Sequence, residues 1–138
     1  WAILMIFSRG LMVPSTLDAC VIATNLVRAE KQYGVPGSII IATLGVETKY
    51  GTHSGGYRVI DALSNLAFTD QARSAYFRDE LEHFLILSRN NHLDPSTVQG
   101  SYAGAIGAPQ FMPSSYRKWA VDFDGSGKVD LQALKGLV

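Results

Sequence analysis

Glu47 is the residue of this sequence best placed to move a proton. It follows the apolar run Ile39 to Val46, near the C-terminal end of a segment that reads as a helix. Burial disfavours a charged carboxylate, and so does the negative end of a helix dipole. Both push a carboxyl pKa upward, toward a proton held near neutral pH. A carboxylic acid kept protonated in an apolar pocket is what a general acid for glycoside cleavage requires. The alternative is a solvated glutamate that marks the helix end and pairs with Lys49 or Arg58.

A second candidate is the acidic stretch Asp122 to Asp130, DFDGSGKVD. Calcium loops of the EF-hand type place oxygen ligands at positions 1, 3, 5, 7 and 9, with Gly at 6 and a bidentate acid at 12. Counting from Asp122, Asp124, Ser126 and Asp130 fall on positions 3, 5 and 9. Gly127 falls on 6, and the Lys128 carbonyl on 7. Position 12 is Ala133, so the closing carboxylate is missing and a weak site is expected. An Asx-rich solvated turn is the alternative. A third candidate is Ser101 to Pro113, where small residues let a ligand approach the backbone. Tyr102 and Phe111 would line a sugar subsite there, with Ser101 and Gln110 as hydrogen-bonding groups. A packed loop, with Gln110 satisfying backbone groups, explains the same residues. His53, His83 and His92 share no metal-ligand spacing. No serine sits in a nucleophile elbow, and no phosphate loop is present.

These candidates need elements to hold them. Ser15 and Thr16 precede a run to Tyr33 with Leu17, Val21, Leu26 and Val27 in helical register, ended by Gly34. Pro36 then sits where a first helical turn tolerates proline, and the segment that follows, Ile39 to Val46, is apolar on all sides. Such a segment is a buried helix, with a buried strand as the rival reading. Gly51 to Gly56 is a polar loop, and Asp61 to Phe68 a short helix. Gln71 to Asn90 is the clearest amphipathic helix. Phe77, Leu81, Phe84, Leu85 and Leu87 supply its core face, and Arg78, Asp79 and Glu82 its outer face. The glycines and prolines of Val98 to Pro113 predict a shaped loop region. A short helix over Ser114 to Ala120 precedes the acidic loop. The fold class is therefore mainly α, with long loops.

The chain's 138 residues leave room for one domain. Twelve basic and twelve acidic residues give zero formal net charge, which argues against nucleic-acid binding. The single Cys20 cannot close an internal disulfide. Trp1 to Phe7 is continuously apolar but too short to span a bilayer. A start at Trp1 and a stop at Val138 are those expected of a fragment.

Taken together, Tyr33-Gly34-Val35-Pro36, then GVETKYG over 45–51, then GSYAGAIGAPQFMPSSY over 100–116, then VDFDGSGKVDL, closely resemble the lytic murein transglycosylase B family. RVIDALSNL and FRDELEHFL are similar to that family as well. The resemblance covers about residues 28 to 131 and is specific as a set of motifs. Ile106 departs from the family's usual methionine, a tolerable apolar swap. The resemblance implies a lysozyme-like α+β-superfamily catalytic domain over residues 28–121, an EF-hand-like loop over 122–133, and poorly matching ends at 1–27 and 134–138.

The same resemblance implies cleavage of the MurNAc-β-1,4-GlcNAc bond of peptidoglycan with formation of 1,6-anhydromuramoyl ends. Its single catalytic glutamate falls on Glu47, and its substrate-binding serine and glutamine on Ser101 and Gln110. Its calcium ligands fall on Asp122, Asp124, Ser126 and Lys128. The chemistry would need no cofactor, and calcium would be structural. The partners implied are glycan strands, bound by a monomer in the periplasm or envelope, with membrane association only through an N-terminal lipid anchor outside these residues. The family continues past the end of this chain with further cleft residues and the last calcium-binding acid. A lysozyme-type hydrolase would instead want a second acid, for which Asp61 is a weak candidate. A non-catalytic wall-binding or calcium-binding module is the rival from another class.

Overall fold

The computed structural model describes residues 16–50, 53 and 55–122, with the backbone alone for 16–22. Its elements in chain order are α1 (Thr16–Tyr33), α2 (Gly37–Thr48), β1 (Tyr57–Arg58), α3 (Val59–Thr69), α4 (Ser74–Asn90), β2 (Gln99–Gly100) and α5 (Pro113–Trp119). The mainly helical class is met. The segment 39–46 is helix, not strand. The short strands pair antiparallel, Tyr57 opposite Gly100 and Arg58 opposite Gln99, and clip the loop after α4 to the start of α3. The acidic loop lies outside the described residues, apart from Asp122.

Most of the core lies between α3, α4 and α5. Val59, Leu63 and Ala67 of α3 meet Phe77, Phe84 and Leu87 of α4, and Val98, Ile106 and Tyr116 close the cluster. The α4 residues follow helical spacing, so one face is buried along the whole helix. Leu85, expected inside, is 44% exposed, because it stands beside that face rather than on it. Asp70 closes the turn that leads into α4. Its Oδ1 accepts the backbone N–H of Ala72 and of Arg73, each at 3.0 Å. These bonds, that of Arg73 foremost, hold its carboxyl below the usual carboxylate range.

The same stripe holds an acid. Glu80 is 1% exposed, three residues after Phe77 and four before Phe84. Its Oε2 accepts the Ser114 N–H at 2.9 Å, and its Oε1 the Ser114 hydroxyl at 2.5 Å. Met112, the N-cap of α5, makes no side-chain cap bond. A glutamate 34 residues back thus supplies the acceptor that the first turn of α5 needs.

A smaller cluster joins α1 to α2, with Leu26 and Ala29 packed by Ile40 and Ile41. Glu30 of α1 caps α2 by accepting the Gly37 N–H at 3.2 Å. The expectation of burial all round α2 is corrected. Ile39 is 56% exposed and Val46 84%. Among the described residues α2 packs against α1 through one side, so its other apolar faces stay open. No described helix is long and apolar enough to cross a membrane.

Candidate functional site

The open side of α2 becomes one wall of a cavity of about 500 Å³. Ile39, Ile40, Thr43, Leu44 and Glu47 line it from α2, Ala29 and Tyr33 from the end of α1. Pro109, Phe111, Tyr116 and Trp119 line it from the loop before α5 and from α5 itself. Phe111 and Tyr116 stand edge to face, with ring centroids 6.1 Å apart. Glu47 is the charged residue of the lining, and the rest of the wall is largely apolar. Helical spacing accounts for this: 39, 40, 43, 44 and 47 share one face of α2. A cleft of this kind accepts the apolar face of a ring and presents one carboxyl group to it.

Glu47 is exposed, on the rim of the cavity, where the sequence reading expected it sheltered. The cause is the partial packing of α2 already described. Its backbone is nonetheless well anchored. Past it the helix ends with Lys49 and Tyr50 both in the left-handed region, at φ 48° and 61°. The Lys49 N–H reaches the Gly45 carbonyl and the Tyr50 N–H the Leu44 carbonyl, each at 3.1 Å. The first bond is that of a left-handed helix cap, and the second reaches one residue further back and folds the chain over the helix end. Non-glycine residues held at positive φ cost roughly 1–3 kcal/mol each and persist where surroundings over-determine them.

The loop residues singled out in the sequence divide. Phe111 shares the cavity with Glu47, whereas Ser101, Tyr102 and Gln110 are absent from its lining. The Ser101 Oγ turns into its own loop and accepts the N–H of Ala105 at 3.0 Å and of Ala103 at 3.3 Å. Tyr102 is 74% exposed. Gln110, at φ 51°, donates from Nε2 to the Gly107 carbonyl at 2.8 Å. Ile106 and Phe111 exchange backbone bonds of 2.8 and 3.1 Å across the turn that Gln110 closes. The tip of this small ribbon is what carries Pro109 and Phe111 to the cavity.

Gly104 fixes the loop against α3. Its φ is +86°, and a Cβ there would stand 2.6 Å from the Leu63 Cγ. Gly104→Ala is expected to destabilise the fold by about 2 kcal/mol or more, from positive-φ strain and overpacking together. Urea unfolding measures it, through a lower midpoint at unchanged slope.

Tyr33, Ile39, Thr43, Tyr116, Trp119 and Val121 line the cavity without having been singled out in the sequence. Each reads there as ordinary core or helix-end material, and only the packing of α2 across from α5 gives it a place. Asp61 sits elsewhere. It pairs with Arg58 at 2.6 Å, both side chains more than half exposed, and is outside the cavity lining. Asp122 is half-buried, while Asp124, Ser126 and Lys128 lie outside the described residues. Among the described residues no group of three or more His, Cys, Asp or Glu could hold a metal.

Comparison with known proteins covers the whole of this site. The family model described as the transglycosylase SLT domain matches residues 21–135. The chain is 49% identical over 106 residues to the membrane-bound lytic murein transglycosylase B of Escherichia coli strain K12, across 77% of this chain and 29% of that protein. The structure of the Escherichia coli lytic transglycosylase Slt35 in complex with calcium matches at a TM-score of 0.82 and 40% identity, across 99% of this chain and 45% of that one. The structure of SltB3 from Pseudomonas aeruginosa in complex with NAG-anhNAM-pentapeptide matches at a TM-score of 0.72 and 31% identity, across 87% of this chain and 34% of that one. The chain thus spans less than half the length of each of these relatives.

Proposed function

We propose a function on the ground that this chain belongs to the transglycosylase SLT domain family. The reaction is lytic cleavage of the MurNAc-β-1,4-GlcNAc bond of peptidoglycan, leaving a 1,6-anhydromuramoyl end. The observation that carries it is the carboxyl group of Glu47, the one acid among the described residues of a cavity lined largely by apolar and aromatic groups. Two-carboxylate glycosidases need a second acid beside the first. Here the candidate, Asp61, is tied to Arg58 outside the cavity, which disfavours the hydrolase reading.

With one acid, the substrate supplies the rest. Glu47 donates its proton to the glycosidic oxygen as the C1–O bond breaks. The carbonyl oxygen of the muramoyl 2-acetamido group holds C1 meanwhile. The ionised Glu47 then takes the proton of the C6 hydroxyl as that oxygen bonds to C1 and the acetamido oxygen leaves. Ring faces of the glycan rest on the exposed rings of Phe111 and Trp119. A bound strand covers Glu47 on its rim and expels water from the cleft, which strengthens every charge interaction inside. Ser101 accepts two N–H bonds on its Oγ and keeps its O–H for donation, here to the acetamido group. Tyr102 and Gln110 flank the strand beyond the cavity.

Calcium fits the acidic loop by donor chemistry, with the Asp122, Asp124 and Ser126 side chains and the Lys128 carbonyl as oxygen ligands. Its service would be to hold that loop, with no part in the proton transfers. With a Kd of about 10⁻³ M, 10 mM calcium adds roughly 1.4 kcal/mol of stability by mass action. The melting temperature is therefore expected to rise by a few degrees in calcium but not in magnesium, and Asp124→Ala should abolish the rise. The polymer substrate places the protein in the cell envelope, with glycan strands as its partner.

The decisive experiment is mass spectrometry of the glycan ends released from purified murein sacculi. Anhydro ends are the expected product. Reducing ends would convert the reading to a hydrolase. Sugar binding without release would leave a wall-binding module.

A further inference from the structure

Gly45 and Tyr50 bracket Glu47, and each breaks a local rule. Glycine weakens a helix interior, where alanine is favoured. Tyrosine is a poor residue for positive φ, where glycine or asparagine is favoured. The two departures meet in space. The left-handed pair Lys49–Tyr50 folds the chain back so that the Tyr50 ring lies on the bare backbone of Gly45. A Cβ on Gly45 would stand 2.8 Å from both the Cζ and the hydroxyl oxygen of that ring. A side chain at position 45 would displace the ring from this seat.

We infer that Gly45 and Tyr50 form a positioning pair that holds the last turn of α2, and with it the carboxyl of Glu47, in register with the cleft. At about 100° per residue, Gly45 and Glu47 face opposite sides of the helix. Tyr50 is accordingly absent from the cavity lining while Glu47 is in it. The ring therefore acts from behind. It keeps closed the two bonds that finish the helix, Lys49 N–H to Gly45 and Tyr50 N–H to Leu44. Helix ends fray when nothing covers them, and Glu47 stands one residue short of this end. A carboxyl that drifts by an ångström loses on the order of 10²-fold in rate. The assignment of what Glu47 does rests on the reaction proposed above. The seat itself does not.

Tyr50→Gly tests this, because glycine suits the positive φ and lets the fold survive without the ring. Amide hydrogen exchange at positions 49 and 50 reads the seat without any substrate. Exchange at both sites is expected to quicken at least about tenfold while the melting temperature is kept. Unchanged exchange would overturn the pair. Turnover of a GlcNAc–MurNAc-peptide tetramer by the full chain reads the consequence. A fall in kcat of about tenfold or more is expected, with KM within about twofold, since ground-state contacts are untouched. Gly45→Ala should lower kcat likewise, and Gly45→Ala/Tyr50→Gly no further than Tyr50→Gly alone. Independent, multiplying losses, or kcat retained in Tyr50→Gly, would refute positioning. If the unmodified chain releases no anhydro product yet Tyr50→Gly exchanges faster, the reaction assignment fails and the seat stands.

Discussion

Glu47→Gln is expected to reduce release of anhydromuropeptides from sacculi by at least about 10²–10⁴-fold, the range carried by a positioned general acid–base. The substitution keeps the shape of the side chain and removes both its proton and its charge. Among the described residues no second carboxyl lines the cavity to take over either step. The melting temperature should hardly move, because Glu47 is exposed and buries nothing on folding. This pairing of lost turnover with kept stability separates a chemical role from a structural one. Glycan binding by the variant, measured on sacculi by sedimentation, should persist, since Phe111 and Trp119 remain. Equal release by both proteins would end the assignment of Glu47.

The position of Glu47 on a helix end was legible because the chemistry is local: an apolar run, an acid, then a glycine-bearing turn. The surroundings of that acid were not. Apolarity all round α2 reads as burial, and a sequence window does not say how many neighbours a helix finds. Here α1 covers one side, through Leu26 and Ala29, and leaves Val46 in solvent. The 100–113 loop was legible as a shaped loop from its glycines. Which of its side chains turn inward was not. Ser101 and Gln110 each make bonds to the backbone of their own loop, whereas Phe111 is carried into the cavity by the Ile106–Phe111 pairing. Trp119 and Tyr33 join the site from helices distant in sequence, and periodicity has no means of placing them face to face. Glu80 is the opposite case, passed over although its signal is local. Its spacing from Phe77 and Phe84 puts it in the apolar stripe, and an acid in that stripe signals a buried partner.

Removing that acid should cost more stability than any surface change. In Glu80→Ala the Ser114 N–H and hydroxyl lose a charged acceptor at 2.9 and 2.5 Å, inside a site that is 1% exposed. Two hydrogen bonds to a charged group and the cavity left behind sum to a loss of about 3 kcal/mol or more, a fall of roughly 10 °C in melting temperature. Ser114→Ala removes the hydroxyl alone and leaves the backbone N–H on the carboxylate, so about 1 kcal/mol is expected. The double variant should fall short of the sum, because both changes delete one shared contact. Tyr76 gives an independent reading. Partial burial raises its phenol above the usual tyrosine range, and the charge and hydrogen bond of Glu80 raise it further. A raised phenol pKa favours the fold below the unfolded-state value near 10 and ceases to do so as pH rises through the folded value. In Glu80→Ala that titration, followed by ultraviolet absorbance, should move down toward the ordinary value, and the alkaline stability loss should shrink with it. A Tyr76 titration unmoved by Glu80→Ala would mean that the carboxylate is not the charge facing it. The consequence reaches the cleft as well: α5 carries Tyr116 and Trp119. A first turn of α5 that has lost its acceptor loosens the wall on which the sugar rings are proposed to rest, so glycan binding should weaken in Glu80→Ala even at temperatures where the chain is folded.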